Sequence, residues 1–162
     1  MKILIFDGNS ILNRAFYGVR NLSSADGFPT NAIYGFVNIL LKALDDEKPE
    51  YCVVTFDLKG PTFRHAQYEK YKGTRKGMPD ELAVQLPELK KVLDAMNIKR
   101  IELEGFEADD LIGTVAAHAE KENFKSIVIT GDKDSLQLIS DLTAISLVKT
   151  AMGRTSTILY DK

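Results

Sequence analysis

The sequence predicts an α/β fold with a mostly parallel central sheet and helices on both faces. Three observations point there. Short β-branched apolar runs, "KILIF" (2–6), "YCVVTF" (51–56) and "SIVIT" (126–130), each end in turn residues: Asp7-Gly8-Asn9, Asp57 and Gly131-Asp132-Lys133-Asp134. Runs of that length and composition read as buried strands. Segments of helical period lie between them, and such alternation is the pattern of a parallel sheet covered on both sides. No linker, repeat or low-complexity segment divides the 162 residues, so one domain over 1–162 is expected, with right-handed crossovers.

Taken in order, "KILIF" is the first strand. Residues 31–44, "NAIYGFVNILLKAL", place Ile33, Phe36, Val37, Leu40, Leu41 and Leu44 on one helical face, with Asn31 as the cap. "YCVVTF" follows as a second strand. Residues 58–78, broken by Gly60-Pro61, Gly73 and Gly77 and bordered by Pro79, hold few apolar anchors and are expected to form a mobile basic arm. Residues 80–96 are helical in period, and Pro87 should kink or split them. "IKRIEL" (98–103) is a further strand, and the helix within "EGFEADDLIGTVAAHAE" (104–120) comes after it. Beyond "SIVIT", a short helix is expected near Ser135 and a strand at "AISLV" (144–148). The last segment reads as a hairpin with Gly153 in the turn and "STILY" as the return strand.

Composition narrows the function classes. With 44% hydrophobic and 27% charged residues, the chain is an ordinary globular protein that needs no staples. Its single cysteine, Cys52, sits in an apolar run where an inert buried thiol is expected, and no disulfide can form within the chain. "MKILIFD" is too short for a signal-peptide core, and nothing reaches the length of a membrane span, so a cytoplasmic location without membrane contact is expected.

Net charge is only −2, but its distribution is uneven. Residues 59–76 hold Lys59, Arg64, Lys70, Lys72, Arg75 and Lys76 against the single acid Glu69, which leaves the remainder acidic. A basic arm on an acidic body fits a polyanion held by one part while another part holds metal. Arg64, Lys72 and Arg75 can bond phosphates, and the interleaved Phe63, Tyr68 and Tyr71 offer faces for base stacking.

The acids carry the sharper signal. Asp7, Asp57, Asp132 and Asp134 lie at or just past strand ends, and Glu107, Asp109 and Asp110 open a helix after another strand. Acids at a helix start are ordinarily stabilised by its dipole, and a lone Asp after a strand is usually a turn or cap residue. Neither rule explains why so many arrive at one place. In an open parallel sheet all C-terminal strand ends share one edge, which is where ligands bind. Seven carboxylates would converge there, and without a cation they would raise one another's pKa. An all-oxygen donor set favours Mg²⁺ or Mn²⁺ over zinc, and His65 and His118 are read as solvent-facing or packed. Neither a Ser-His-Asp set nor a glycine-rich phosphate loop is evident.

These residues resemble the 5′ nuclease domain at the N-terminus of bacterial DNA polymerase I, a relative of flap endonucleases and phage 5′ exonucleases. The likeness is carried in order by "FDGNSILNRAFY" (6–17), "TNAIYGFVNILLKAL" (30–44), "VVTFD" (53–57), "FRHAQYEKYKGTR" (63–75), "MPDEL" (78–82), "EGFEADDLIGT" (104–114) and "TGDKDSLQLIS" (130–140). It implies a PIN-like three-layer fold and a two-metal site that cleaves DNA at 5′ ends and flaps, leaving a 5′-phosphate. By resemblance Asp7, Asp57, Glu107 and Asp109 would serve a first Mg²⁺, Asp109, Asp132 and Asp134 a second, and Asp110 the outer shell. Two such ions, about 4 Å apart, would activate water and stabilise the leaving 3′ oxygen. Lys72 and Arg75 would be the catalytic phosphate clamp, with Arg14, Arg64, Tyr71 and Lys76 helping to bind DNA.

In that family the chain continues into a helical hairpin module that grips duplex DNA and adds two aspartates to the second metal site. The resemblance therefore implies a catalytic core with a competent first site, a second site short of ligands, and a need for millimolar metal. A polymerase domain in the same gene is the implied partner, and a monomer is expected. Two other readings stay open. A haloacid-dehalogenase-like phosphatase also has an Asp after its first strand, but Asn9 stands where its second acid belongs. A DNA-binding remnant without catalysis is the other.

Overall fold

The computed structural model describes residues 1–68, 77–151 and 153–162. Among them six strands form one sheet in the order β3-β2-β1-β4-β5-β6. The strands are β1 (Lys2–Asp7), β2 (Tyr51–Thr55), β3 (Lys99–Ile101), β4 (Lys125–Thr130), β5 (Thr143–Ala151) and β6 (Arg154–Tyr160). The first five are mutually parallel, and β6 returns antiparallel to β5. Gly153, at φ +72°, lies in the hairpin between them, a conformation glycine adopts without a Cβ penalty. The α-helices among the described residues are α1 (Gly8–Gly18), α2 (Asn31–Glu47), α3 (Phe63–Gln67), α4 (Asp80–Ala83), α5 (Gln85–Ala95) and α6 (Ala108–Lys121).

Successive side chains of a strand face opposite ways, and the core divides accordingly. Leu4 and Phe6 of β1 pack with Ile11 and Leu12 of α1, Phe36 and Leu40 of α2, and Leu89 and Leu93 of α5. Ile3 and Ile5 pack on the other face with Ile112 and Ala116 of α6 and with Val128 and Ile145. The result is the expected three-layer α/β arrangement.

Strand order fixes where a ligand can sit. The chain runs outward from β1 through β2 to β3, then crosses back to place β4 on the other flank of β1. The connections after β1 and β4 therefore diverge and open a crevice at their C-terminal ends, the usual ligand position in open α/β sheets.

Several expectations change in detail. Asn31 is not the cap of α2, because Thr30 holds that position. The Asn31 amide instead donates to the carbonyls of Phe16 (2.9 Å) and Val19 (3.1 Å), occupying acceptors at the end of α1. Leu41 is 49% exposed rather than part of the buried face of α2. The 80–96 segment does split, but at Val84; Pro87 falls in the first turn of α5, where its missing N–H would have had no intrahelical partner. The helix expected near Ser135 is a 3₁₀ turn, Lys133–Leu138. Of the arm expected over 58–78, residues 69–76 lie outside the described residues, and the part before them contains α3, whose start is closed by a reciprocal Thr62–His65 capping box.

Candidate metal and nucleic-acid site

Asp7 is the last residue of β1 and the N-cap of α1. Its Oδ1 accepts from the Ser10 backbone N–H (3.1 Å) and its Oδ2 from the Thr130 hydroxyl (2.8 Å). The side chain is buried, with 4% of the residue exposed. Burial pushes its pKa up to about 6; the Ser10 and Thr130 bonds pull against that, and the charges of Asp109 and Asp57 add to it. A carboxylate in this position is one whose charge a cation would stabilise. Gly8, next in the chain, is needed for close approach: a Cβ there would meet the Thr55 carbonyl oxygen and the Phe56 ring at 2.5 Å.

Asp57 follows β2 and ties two elements together. Its Oδ1 accepts from the Ala108 N–H at the start of α6 (2.7 Å), and its own N–H donates to Asn9 Oδ1 (2.8 Å). At the same helix start Glu107 and Asp110 form a reciprocal capping box, with the Glu107 N–H donating to Asp110 Oδ2 (3.0 Å). Arg64 of α3 then grips Asp110 with two bonds, 2.8 and 2.7 Å, and reaches Glu107 Oε2 at 3.2 Å. Bidentate geometry of this kind is the strong form of an Arg–carboxylate pair. The Phe63 N–H donates to the Gly105 carbonyl (2.9 Å), and the Phe63 and Phe106 rings meet at 5.8 Å, so α3 is docked on the segment that opens α6.

The turn after β4 completes the crevice. The Asp132 N–H donates to Thr130 Oγ1 (3.0 Å), and the Asp134 N–H donates to Asp132 Oδ1 (2.9 Å). Gly131 is clasped from α1: its N–H donates to Ser10 Oγ (2.9 Å), and its carbonyl accepts from Arg14 Nη2 (2.8 Å).

Asp7, Asp57, Glu107, Asp109 and Asp132 line one cleft of about 840 Å³, together with Asn9, Asn13, Arg14, Tyr17 and Met78. Asp110 and Asp134, also expected there, do not line it: Asp110 is held by Arg64, and Asp134 is exposed on the 3₁₀ turn. Among the described residues no three acidic, histidine or cysteine side chains already stand in an ion-holding arrangement. Asp7, Asp57, Glu107, Asp110 and Asp132 are each turned onto protein donors. The donor chemistry fits a hard divalent cation, being oxygen throughout around a buried carboxylate with like-charged neighbours.

Of the other candidates, Tyr71, Lys72, Arg75 and Lys76 lie outside the described residues. Arg14 lines the cleft, and Tyr68 is 67% exposed. His118 is exposed, and His65 serves the Thr62 cap. Cys52 is half-buried rather than buried, and that burial pushes its thiol up to about 12. Sequence patterning did not mark α1, nor Ser10 and Thr130, the hydroxyls that hold Asp7 and its neighbouring turn. No described helix is long and apolar enough to cross a membrane.

The comparisons with known proteins decide the family. Residues 2–161 match the profile described as 5′-3′ exonuclease, N-terminal resolvase-like domain. This chain belongs to that 5′-3′ exonuclease family. DNA polymerase I of Caldicellulosiruptor bescii is 48% identical over 160 residues, covering 99% of this chain and 19% of that protein. The chain thus spans about a fifth of that relative. The fold is shared with bacteriophage T5 5′-exonuclease holding divalent zinc ions, at a TM-score of 0.70 and 19% identity over 96% of this chain and 58% of that one. It is also shared with T5 flap endonuclease in a pseudo-enzyme–product complex with DNA and metal ions, at 0.69 and 20% over 91% and 55%. The PIN-like architecture expected for the exonuclease family is therefore present.

Proposed function

We propose that this chain is the catalytic core of a 5′ nuclease that hydrolyses DNA phosphodiesters at 5′ ends and flaps, using Mg²⁺ or Mn²⁺. The observation that carries the reading is the meeting of Asp7, Asp57, Glu107, Asp109 and Asp132 in one cleft over the β1/β4 crevice of a 5′-3′ exonuclease family member. The phage neighbour bound to DNA and metal supports it by analogy of fold. Divalent ions, when bound, would supply a water of lowered pKa and neutralise charge on the phosphoryl oxygens.

The rest is the work of the chain's own side chains. Asp7, Asp57, Glu107 and Asp109 would hold the first ion, and Asp109, Asp132 and Asp134 the second. Asp110, fixed by Arg64, keeps the start of α6 in register with the cleft. Lys72 and Arg75 are assigned to the scissile phosphate, and Arg14, Arg64, Tyr71 and Lys76 to the DNA around it. The polymerase I relative makes a polymerase in the same polypeptide the natural partner.

A labelled 5′-flap duplex tests the reading. Incubation with Mg²⁺ or Mn²⁺ is expected to release a 5′-phosphorylated product, and EDTA to stop it. Flap binding with no product in either metal would leave only a DNA-binding role.

A further inference from the structure

Thr130 closes β4 and is wholly buried, and its hydroxyl joins the two halves of the acidic cleft. It donates to Asp7 Oδ2 at 2.8 Å and accepts from the Asp132 backbone N–H at 3.0 Å. A hydroxyl has one proton and two lone pairs, and an ionised carboxylate only accepts, so the direction of both bonds is fixed. The Asp7 oxygen takes the proton while the Asp132 amide fills a lone pair.

The surroundings hold the same join from outside. Ser10 donates its backbone N–H to Asp7 Oδ1 and accepts the Gly131 N–H on its own hydroxyl. Arg14 bonds the Gly131 carbonyl. Gly131 is clasped so closely that a Cβ would stand 2.6 Å from Arg14 Nε and 2.9 Å from Ser10 Oγ. Both oxygens of Asp7 and both backbone polar groups of Gly131 are therefore committed, and the Thr130 hydroxyl bonds Asp7 and the 131–134 turn at once.

We propose that Thr130 is a positioning residue that sets the spacing between Asp7 and the turn bearing Asp132 and Asp134, so that the two ion-holding groups form as one unit. This rests on the nuclease reading. Valine has nearly the same shape but would leave an Asp7 oxygen and the Asp132 N–H without their partner. Serine keeps both bonds.

The test compares Thr130→Val, Thr130→Ser and Leu93→Ala, the last a change in the α5 core on a helix that does not line the cleft. Mn²⁺ affinity is measured without DNA, and amide hydrogen exchange is followed at Asp132. Thr130→Val is expected to weaken Mn²⁺ binding on the order of 10–100-fold, the usual effect of removing a partner behind a metal ligand. Exchange at Asp132 should quicken about tenfold or more, since its acceptor is gone. Thr130→Ser should restore both to within about threefold, and Leu93→Ala should lower stability and leave Mn²⁺ affinity unchanged. The proposal is overturned if Thr130→Val binds Mn²⁺ as the unaltered chain does, or loses no more affinity than Leu93→Ala. Should Thr130→Val not fold, Thr130→Cys, with its weak S–H donor, replaces it, and undiminished Mn²⁺ affinity there overturns the proposal equally. An unaltered chain that binds Mn²⁺ but cuts no flap defeats the nuclease reading alone; one that binds no Mn²⁺ defeats both.

Discussion

The turns after β1 and β4 present acids on adjacent strands at the same edge of the sheet, yet the two environments differ. Asp7 is buried, bonded through both oxygens and pushed up to about 6. Asp134 is exposed on a 3₁₀ turn, reached through Asp132. One acid is already desolvated and held in place by the fold. The other keeps its hydration and more of its freedom, so an ion gains less from meeting it. The difference places the strength of the site on the β1 side, with the β4 turn joined to it through Thr130.

The largest break in that comparison should come from Asp7→Asn. Flap cleavage is expected to fall roughly 10³-fold or more, since a central ion ligand is lost. The same change should stabilise the metal-free chain above neutral pH. Because the folded pKa of Asp7 is raised from 3.8 to about 6, the native state holds the proton more tightly than the unfolded state. The contribution of Asp7 is therefore fully present below about pH 4 and is lost as pH rises through that window, by an order of 3 kcal/mol. Thermal melts from pH 4 to 8 should show the metal-free chain losing stability relative to Asp7→Asn as pH rises from about 4 to 6, against the opposite trend of Glu50 and Glu120, whose carboxyls their hydrogen bonds hold low. A stability difference between the two chains that stays constant over that range would contradict the assignment.

The two glycines beside these acids sharpen the contrast. A Cβ on Gly8 meets the Thr55 carbonyl, which is backbone and cannot yield; one on Gly131 meets the Arg14 side chain and the Ser10 hydroxyl, which can shift. Urea unfolding should show Gly8→Ala losing about 3 kcal/mol and Gly131→Ala about 1 kcal/mol. Equal losses would mean the two turns are equally rigid. Asp134→Asn should be milder still, weakening Mn²⁺ binding about tenfold while leaving metal-free stability within about 0.5 kcal/mol. The smallest effect lies far from the cleft. The Cys52 thiol, pushed up to about 12, should react with a thiol reagent only once the chain is unfolded, so native labelling at pH 8 should be negligible.

What could be read beforehand divides along physical lines. Strand-end acids were legible because a short β-branched run closed by Asp is a local signal, and a parallel sheet necessarily gathers such ends. The helix read over 31–44, which runs on to Glu47, and the hairpin at Gly153 were legible for the same local reasons. The α1 helix was not, because "GNSILNRAFYG" buries only Ile11, Leu12 and Ala15 as apolar side chains between terminal glycines. Asn31 looked like a cap of its own helix because its use at the end of α1 is set by tertiary contact. The roles of the Thr130 and Ser10 hydroxyls in joining the two turns were not legible, since the partners they reach across the cleft lie 123 and 121 residues away. The Arg64–Asp110 pair joins α3 and α6, with α4, α5 and β3 between them in the chain, and only the folded chain brings it together.

If these carboxylates gather in order to share divalent ions, a crystal soaked in Mn²⁺ and read by anomalous scattering will show it most directly. Manganese is expected in the cleft touching Asp7 and Asp109, with any second ion toward Asp132. Manganese absent from the cleft at tens of millimolar, or bound only elsewhere on the surface, would contradict that central claim.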